Sequence, residues 1–177
     1  INRCATPCNS SPTFTNDAVA VVCAGQQFNY NLGAIDPDGD SLSYRFGQSL
    51  VSVGAGAPYA SPYSPAAPFP YLGVPGQSPP LLPPLGIFID PTSGDIRFTP
   101  LGNFVANLVV EVLQWKLVNG VYVLMGVTRR DIQFYSMPCA ANNPPVIRTY
   151  NDDGTLPAPQ PNLNWAVCAG QQLCFQI

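Results

Sequence analysis

The sequence has 177 residues and a formal net charge of −3. Its seven Lys and Arg residues form no basic patch for nucleic acid or an anionic membrane, so we expect neither partner. Its apolar runs are far shorter than the roughly 20 residues of a membrane-spanning helix, so we expect no membrane insertion. With 46% hydrophobic residues, 10% charged residues and 21 prolines, the composition favours a β-rich extracellular domain over a cytosolic enzyme or a disordered segment.

The first part of the chain shows the two-residue periodicity of β-strands. Apolar residues alternate with polar ones from Phe28 to Ala34, which predicts a strand with one buried face that ends at the sequence DPDGD. The same alternation through Leu42, Tyr44 and Phe46 predicts a second strand.

Further strands follow toward the carboxyl end. GIFID and DIRFTP are predicted as short strands around the turn PTSG, and alternation from Phe104 to Val112 predicts a long one. Asn119 and Gly120 predict a tight hairpin into VYVLMGVTRRDIQF. Together with the segment near SPTF, this makes about seven strands in roughly 125 residues, as in antiparallel sandwiches. We predict an all-β fold of the immunoglobulin-like β-sandwich type.

The chain repeats itself. VCAGQQ occurs at Val22 and again at Val167, and CNSSPTF from Cys8 resembles CAANNPPVI from Cys139. Such self-similarity indicates tandem repeats, so we expect the chain to be a segment of a longer protein. The predicted parts are the tail of a preceding repeat at 1–11, a complete β-sandwich repeat at 12–139, and a linker with the first strands of the next repeat at 140–177.

A set of phrases, taken in order, carries a resemblance to a known family. They are NNPPVI, VCAGQQFNYNLGAIDPDGDSLSYRF, LGIFIDPTSGDIRFTP, GNFVANLVVEV and VTRRDIQF. They resemble the cadherin-like, immunoglobulin-type repeats of very large Bacteroidetes cell-surface proteins, a class that includes gliding-motility adhesins exported by type IX secretion. The resemblance covers nearly the whole chain and implies a secreted, non-catalytic stalk module for cell adhesion, with neighbouring repeats and surface polysaccharide as partners.

The acidic sequence DPDGD is the first candidate site. Asp36, Asp38 and Asp40 stand at alternate positions, so their carboxylates could converge on a hard cation, which for an extracellular chain is Ca²⁺. The cadherin-like resemblance favours the same ion. The alternative is a structural turn, because Asp side chains accept local backbone N–H groups while Pro37 and Gly39 supply the turn conformation.

The stretch 58–84 is the second candidate, with ten prolines among four aromatic residues, Tyr59, Tyr63, Phe69 and Tyr71. One interpretation makes it an adhesive loop whose rings contact a glycan or polymer. The alternative is a long connection that packs its rings against the sheet, while proline lowers the entropy cost of ordering it.

The six cysteines predict disulfides, with 15 pairings open. In an immunoglobulin-like sandwich, the start of the second strand and the end of the last lie at the same pole, which favours Cys23 with Cys139. The alternatives are Cys8 with Cys23 together with Cys139 with Cys168, or a local link between Cys4 and Cys8.

Catalysis is not expected. The chain contains no His, which excludes Ser-His-Asp and Cys-His arrangements within these residues. Glu111 lies mid-strand beside Asn107 and Val109, which predicts an exposed side chain, and the segment from Arg129 to Asp131 is predicted to be a solvated strand end with a local ion pair.

These observations favour a structural repeat of an extracellular cell-surface adhesin or filament that mediates attachment or gliding. Two alternatives stay open: a glycan- or polymer-binding module that uses the Pro/Tyr-rich loop, and a non-catalytic domain of a secreted enzyme.

Overall fold

The computed structural model describes residues 9–74 and 85–139. The chain divides into two units, Ile1–Cys139 and Ala140–Ile177, and every described residue belongs to the first. The predicted start of a following repeat and most of the predicted tail of a preceding one therefore lie outside the described residues.

All regular elements in the described residues are β-strands, and no helix among them is long and apolar enough to cross a membrane. The described residues contain eleven strands where about seven were predicted, since several are short or interrupted. They are β1 (Thr13–Phe14), β2 (Val19–Cys23), β3 (Phe28–Tyr30), β4 (Ala34–Ile35), β5 (Ser41–Gly47), β6 (Leu50–Ser52), β7 (Ala55–Gly56), β8 (Ile87–Ile89), β9 (Ile96–Phe98), β10 (Phe104–Val118) and β11 (Val121–Met137).

The largest sheet has four strands in the order β2-β11-β10-β5. Its centre is the long hairpin of β10 and β11, which turns at Asn119 and Gly120 with φ angles of 51° and 80°. Two consecutive left-handed residues are what a two-residue hairpin loop requires, because only then does the twist of the turn match that of the strands. The predicted hairpin is confirmed.

One strand pair departs from the predicted antiparallel arrangement. β2 runs parallel to β11, with Val19 opposite Gln133 and Cys23 opposite Met137. Parallel neighbours need a long crossover connection, and here most of the domain lies between the two strands. Because of this pairing, the carboxyl ends of β2 and β11 lie next to each other at the same end of the sheet.

The strand predicted from Phe28 to Ala34 is split into β3 and β4, which belong to different sheets. The split occurs at Asn31 and Gly33. Asn31 Oδ1 accepts the N–H of Gly33 at 2.7 Å, and Gly33 has a φ of 61°. A Cβ at this glycine would clash with the Thr15 hydroxyl, so only glycine fits here. The alternation of apolar and polar residues did not predict this break in the strand.

A three-stranded sheet in the order β3-β9-β8 packs against the four-stranded sheet, and β1-β4 and β6-β7 form two small ladders. Phe98 on β9 and Phe134 on β11 meet edge to face at 5.1 Å between ring centroids. The fully buried side chains form one core: Val22, Leu32, Ala67, Phe69, Tyr71, Ile87, Ile96, Phe98, Leu108, Val110, Val112, Ile132 and Phe134. The protein is therefore all-β, with several antiparallel sheets consistent with a β-sandwich.

Candidate functional site

In the acidic loop, the Asp36 carboxylate is occupied by amide donors. Its Oδ1 accepts the backbone N–H groups of Asp38 at 2.9 Å and Asp40 at 3.1 Å, which closes the turn between β4 and β5. Its Oδ2 accepts a hydrogen bond from Gln114 Nε2 on β10 at 2.6 Å. Asp36 thus has the role of a turn-forming acceptor and also anchors the loop to the central sheet.

The other two carboxylates face different donors. Asp38 Oδ2 accepts the backbone N–H of Ser10, and Asp40 Oδ1 pairs with Lys116 Nζ at 3.3 Å. The Asp40 side chain is only 4% exposed, and no hydrogen-bond partner for its Oδ2 is found in the described part of the chain.

No group of three or more His, Cys, Asp or Glu placed to hold a metal ion occurs within residues 9–74 and 85–139. The contacts of Asp36 match the turn interpretation of this loop. The Ca²⁺ site at Asp36, Asp38 and Asp40 stays a prediction.

The aromatic residues of the Pro/Tyr-rich stretch divide into two groups. Phe69 and Tyr71 are buried in the core. The ring of Phe69 stacks on that of Phe104, with 5.0 Å between the ring centroids. Burial also raises the pKa of Tyr71. Neither ring offers a face to a ligand, so for these two residues the packing interpretation holds. Residues 75–84 lie outside the described part of the stretch.

Tyr63 is half-buried, while Tyr59 lines a surface groove of about 330 Å³. Tyr59 Oη donates to Ser49 Oγ at 3.2 Å and accepts the Ser49 N–H at 3.3 Å, so its ring is held in one orientation. Asn107 of β10 and Gln133 of β11 also line the groove. Of the four predicted contact residues, only Tyr59 lies in the lining of this groove.

The prediction for Glu111 was wrong. It is 5% exposed, and its carboxylate pairs with Arg45 on one neighbouring strand and Arg129 on the other, each at 2.7 Å. Gly47 provides the space, because a Cβ there would approach Glu111 Cγ to 2.8 Å. The position of Glu111 in the sequence did not indicate its burial, because the burial depends on cross-strand partners 66 and 18 residues away.

The predicted strand end at Arg129 to Asp131 is instead the interior of β11. Besides the Arg129 pair, the Arg130 guanidinium lies 4.3 Å from the Phe14 ring centroid and donates to the Asn16 carbonyl at 2.8 Å. Arg130 therefore fixes the amino-terminal segment to the last strand by a cation–π contact and a charged hydrogen bond.

A disulfide joins Cys23 to Cys139, with 5.3 Å between their Cα atoms and 116 residues of sequence separation. This is the pairing that the sequence favoured. The parallel contact of β2 with β11 explains it, because Cys23 lies opposite Met137, two residues before Cys139. The other four cysteines lie outside the described residues.

Comparison with protein-family models, with curated proteins and with solved structures gave no match to this chain.

Proposed function

We propose that the chain is a structural repeat module of a long extracellular cell-surface protein, an adhesin or filament involved in attachment or gliding. The observation that carries this proposal is the disulfide between Cys23 and Cys139, viewed together with the recurrence of VCAGQQ at Val167. A bond that closes one β-rich unit, followed later in the chain by a second copy of the phrase that holds its first cysteine, is the arrangement expected of one disulfide-closed unit in a series.

The disulfide determines how the module responds to force. Pulling on residues outside the bridge transmits force through Cys23 and Cys139, so the chain between them cannot extend while the bond is intact. The sequence separation of 116 residues between the two cysteines corresponds to roughly 400 Å of extended chain. A stalk module with this bond would keep its length under load.

Single-molecule force spectroscopy on the full chain, held by its two ends, tests the structural role. We expect that added reductant, or a Cys23→Ala/Cys139→Ala double variant, lengthens the extension by up to roughly 400 Å. An equal extension with and without reductant would contradict this role of the disulfide.

Location requires a separate experiment on cells of the source organism. An antibody against residues 9–139 should label intact cells and detect a polypeptide far larger than the 18.9 kDa of this chain. Labelling only after permeabilisation, or a free protein of that small mass, would reject the cell-surface proposal.

A further inference from the structure

We propose that the groove beside Tyr59 binds a neutral oligosaccharide or a short stretch of a neutral polysaccharide. The groove is lined by residues of the segment after β5 and by Val105, Asn107 and Gln133, which alternate with core-facing residues along β10 and β11. Its volume of about 330 Å³ lies at the lower end of the range of roughly 300–1,000 Å³ for small-molecule sites, which suits one or two sugar units of a longer chain.

The lining of the groove includes two side-chain amides that lie next to each other. Asn107 and Gln133 are direct partners in the pairing of β10 with β11, so their Cβ atoms are about 4.5–5.5 Å apart. Each carboxamide offers both a donor and an acceptor, which matches the paired hydroxyls of a sugar ring. Gln133 Oε1 also accepts a hydrogen bond from Tyr135 Oη at 2.8 Å, which orients this amide before any ligand arrives.

Apolar surface also lines the groove. It comes from Tyr59, Pro58 and Pro68, and from Val105, which is 60% exposed. A tyrosine ring combines a flat apolar face with a polar tip, the combination that suits the C–H face of a sugar. Because the two hydrogen bonds to Ser49 already fix Tyr59, binding costs little side-chain entropy.

The charge of the lining selects the class of ligand. None of the described residues that line this groove carries a formal charge. A neighbouring depression, lined by Gln48 and Leu50, is different because Arg129, Arg130 and Asp131 also line it. An acidic polysaccharide would therefore find its counter-charges outside the groove, whereas a neutral one needs none.

Native affinity electrophoresis of the full chain tests the proposal, with gels containing soluble β-glucan, galactomannan or dextran as neutral probes and alginate as the charged one. We expect at least one neutral probe to retard the protein and alginate to do so more weakly. Asn107→Ala should weaken retardation by about three- to tenfold in Kd, as should Gln133→Ala. Tyr59→Ala should do so by up to about tenfold.

The matched control is Tyr122→Ala, which removes an exposed tyrosine from the far end of the β10–β11 hairpin and should leave retardation unchanged. Asn107 is exposed, so its variant should retain the wild-type Tm, which separates lost binding from lost folding. The proposal is overturned if no neutral probe retards the wild type, if alginate is the strongest, or if the groove variants behave like Tyr122→Ala.

Discussion

Gln114 on β10 donates a hydrogen bond to Asp36 at 2.6 Å, although 78 residues of sequence separate them. The same Nε2 also donates to the Ser10 carbonyl at 2.6 Å. A glutamine that is 1% exposed thus connects three parts of the domain: the amino-terminal segment, the acidic turn and the central sheet.

We predict that Gln114→Leu destabilises the protein by about 1–3 kcal/mol, because it removes the donor of two part-buried hydrogen bonds, one of them to a carboxylate. Urea unfolding measures this loss. Gln27→Leu is the matched control, since Gln27 is exposed and its variant should stay within about 0.5 kcal/mol of wild type. Equal effects of the two variants would show that the connection contributes nothing.

Replacement of Glu111 is expected to have a similar cost. Glu111→Gln keeps the shape but removes the charge that Arg45 and Arg129 share, and hydrogen bonds to charged groups contribute about 1.5–3 kcal/mol. Both arginines are substantially exposed, at 62% and 44%, so solvent offsets part of the interaction and the lower end of this range is expected.

The arginines themselves provide the control for Glu111. Arg45→Gln leaves Glu111 paired with Arg129 and should cost less than Glu111→Gln. If Arg45→Gln is the more destabilising variant in urea unfolding, the buried carboxylate is not the centre of this cluster.

Local patterns were sufficient for elements whose structure depends on neighbours in sequence. Alternation at Leu42, Tyr44 and Phe46 gave β5, and Asn119 with Gly120 gave the long hairpin, because periodicity and turn conformation are properties of adjacent residues. β8 and β9 likewise lie within the two strands predicted on either side of PTSG, although both observed strands are shorter than predicted.

The sites were harder to predict because their partners are distant in sequence. Glu111 is buried only because Gly47 and two arginines on other strands surround it. The amide pair of Asn107 and Gln133 exists only in the register of the hairpin, and Tyr59 reaches it through a connection with no periodicity. The composition identified the aromatic stretch, but it could not show that Phe69 and Tyr71 are buried in the core while Tyr59 lines a groove.

Acid should weaken the hairpin of β8 and β9. Backbone N–H groups of Ser93 and Thr92 lower the pKa of Asp90 below its usual 3.8, and a hydrogen bond from Asn31 lowers that of Asp95. A carboxyl whose folded pKa is depressed stabilises the fold above its unfolded pKa, and this stability is lost as pH falls through the folded value.

We therefore predict that the urea midpoint falls as pH drops from about 4 to below 3. Asp95→Asn should lower the midpoint near neutral pH and make it depend less on pH in this range. If wild type and Asp95→Asn lose stability in parallel between these pH values, the Asn31 contact does not couple to protonation.

Calcium is the remaining test of the acidic loop. Asp36 and Asp38 already accept hydrogen bonds, so an ion would have to share these oxygens with N–H donors, and only weak binding is expected, with Kd around 10⁻⁴–10⁻³ M as in extracellular modules. We predict that Tm is the same in EDTA and in micromolar free Ca²⁺, and that it rises at tens of millimolar. A concentration of about 10 mM is roughly 100 times a Kd of 10⁻⁴ M, which corresponds to about 2.7 kcal/mol.

Two variants of this loop separate an ion site from a general salt effect. Asp38→Asn removes one ligand charge and should abolish the rise in Tm, whereas Lys116→Met removes the cation that pairs with Asp40 at 3.3 Å and should make the Ca²⁺ response larger. Mg²⁺ at the same concentration controls for ionic strength. A Tm that does not differ between EDTA and excess Ca²⁺ in any of the three proteins would leave the turn, held by Asp36 and Gln114, as the whole role of this sequence.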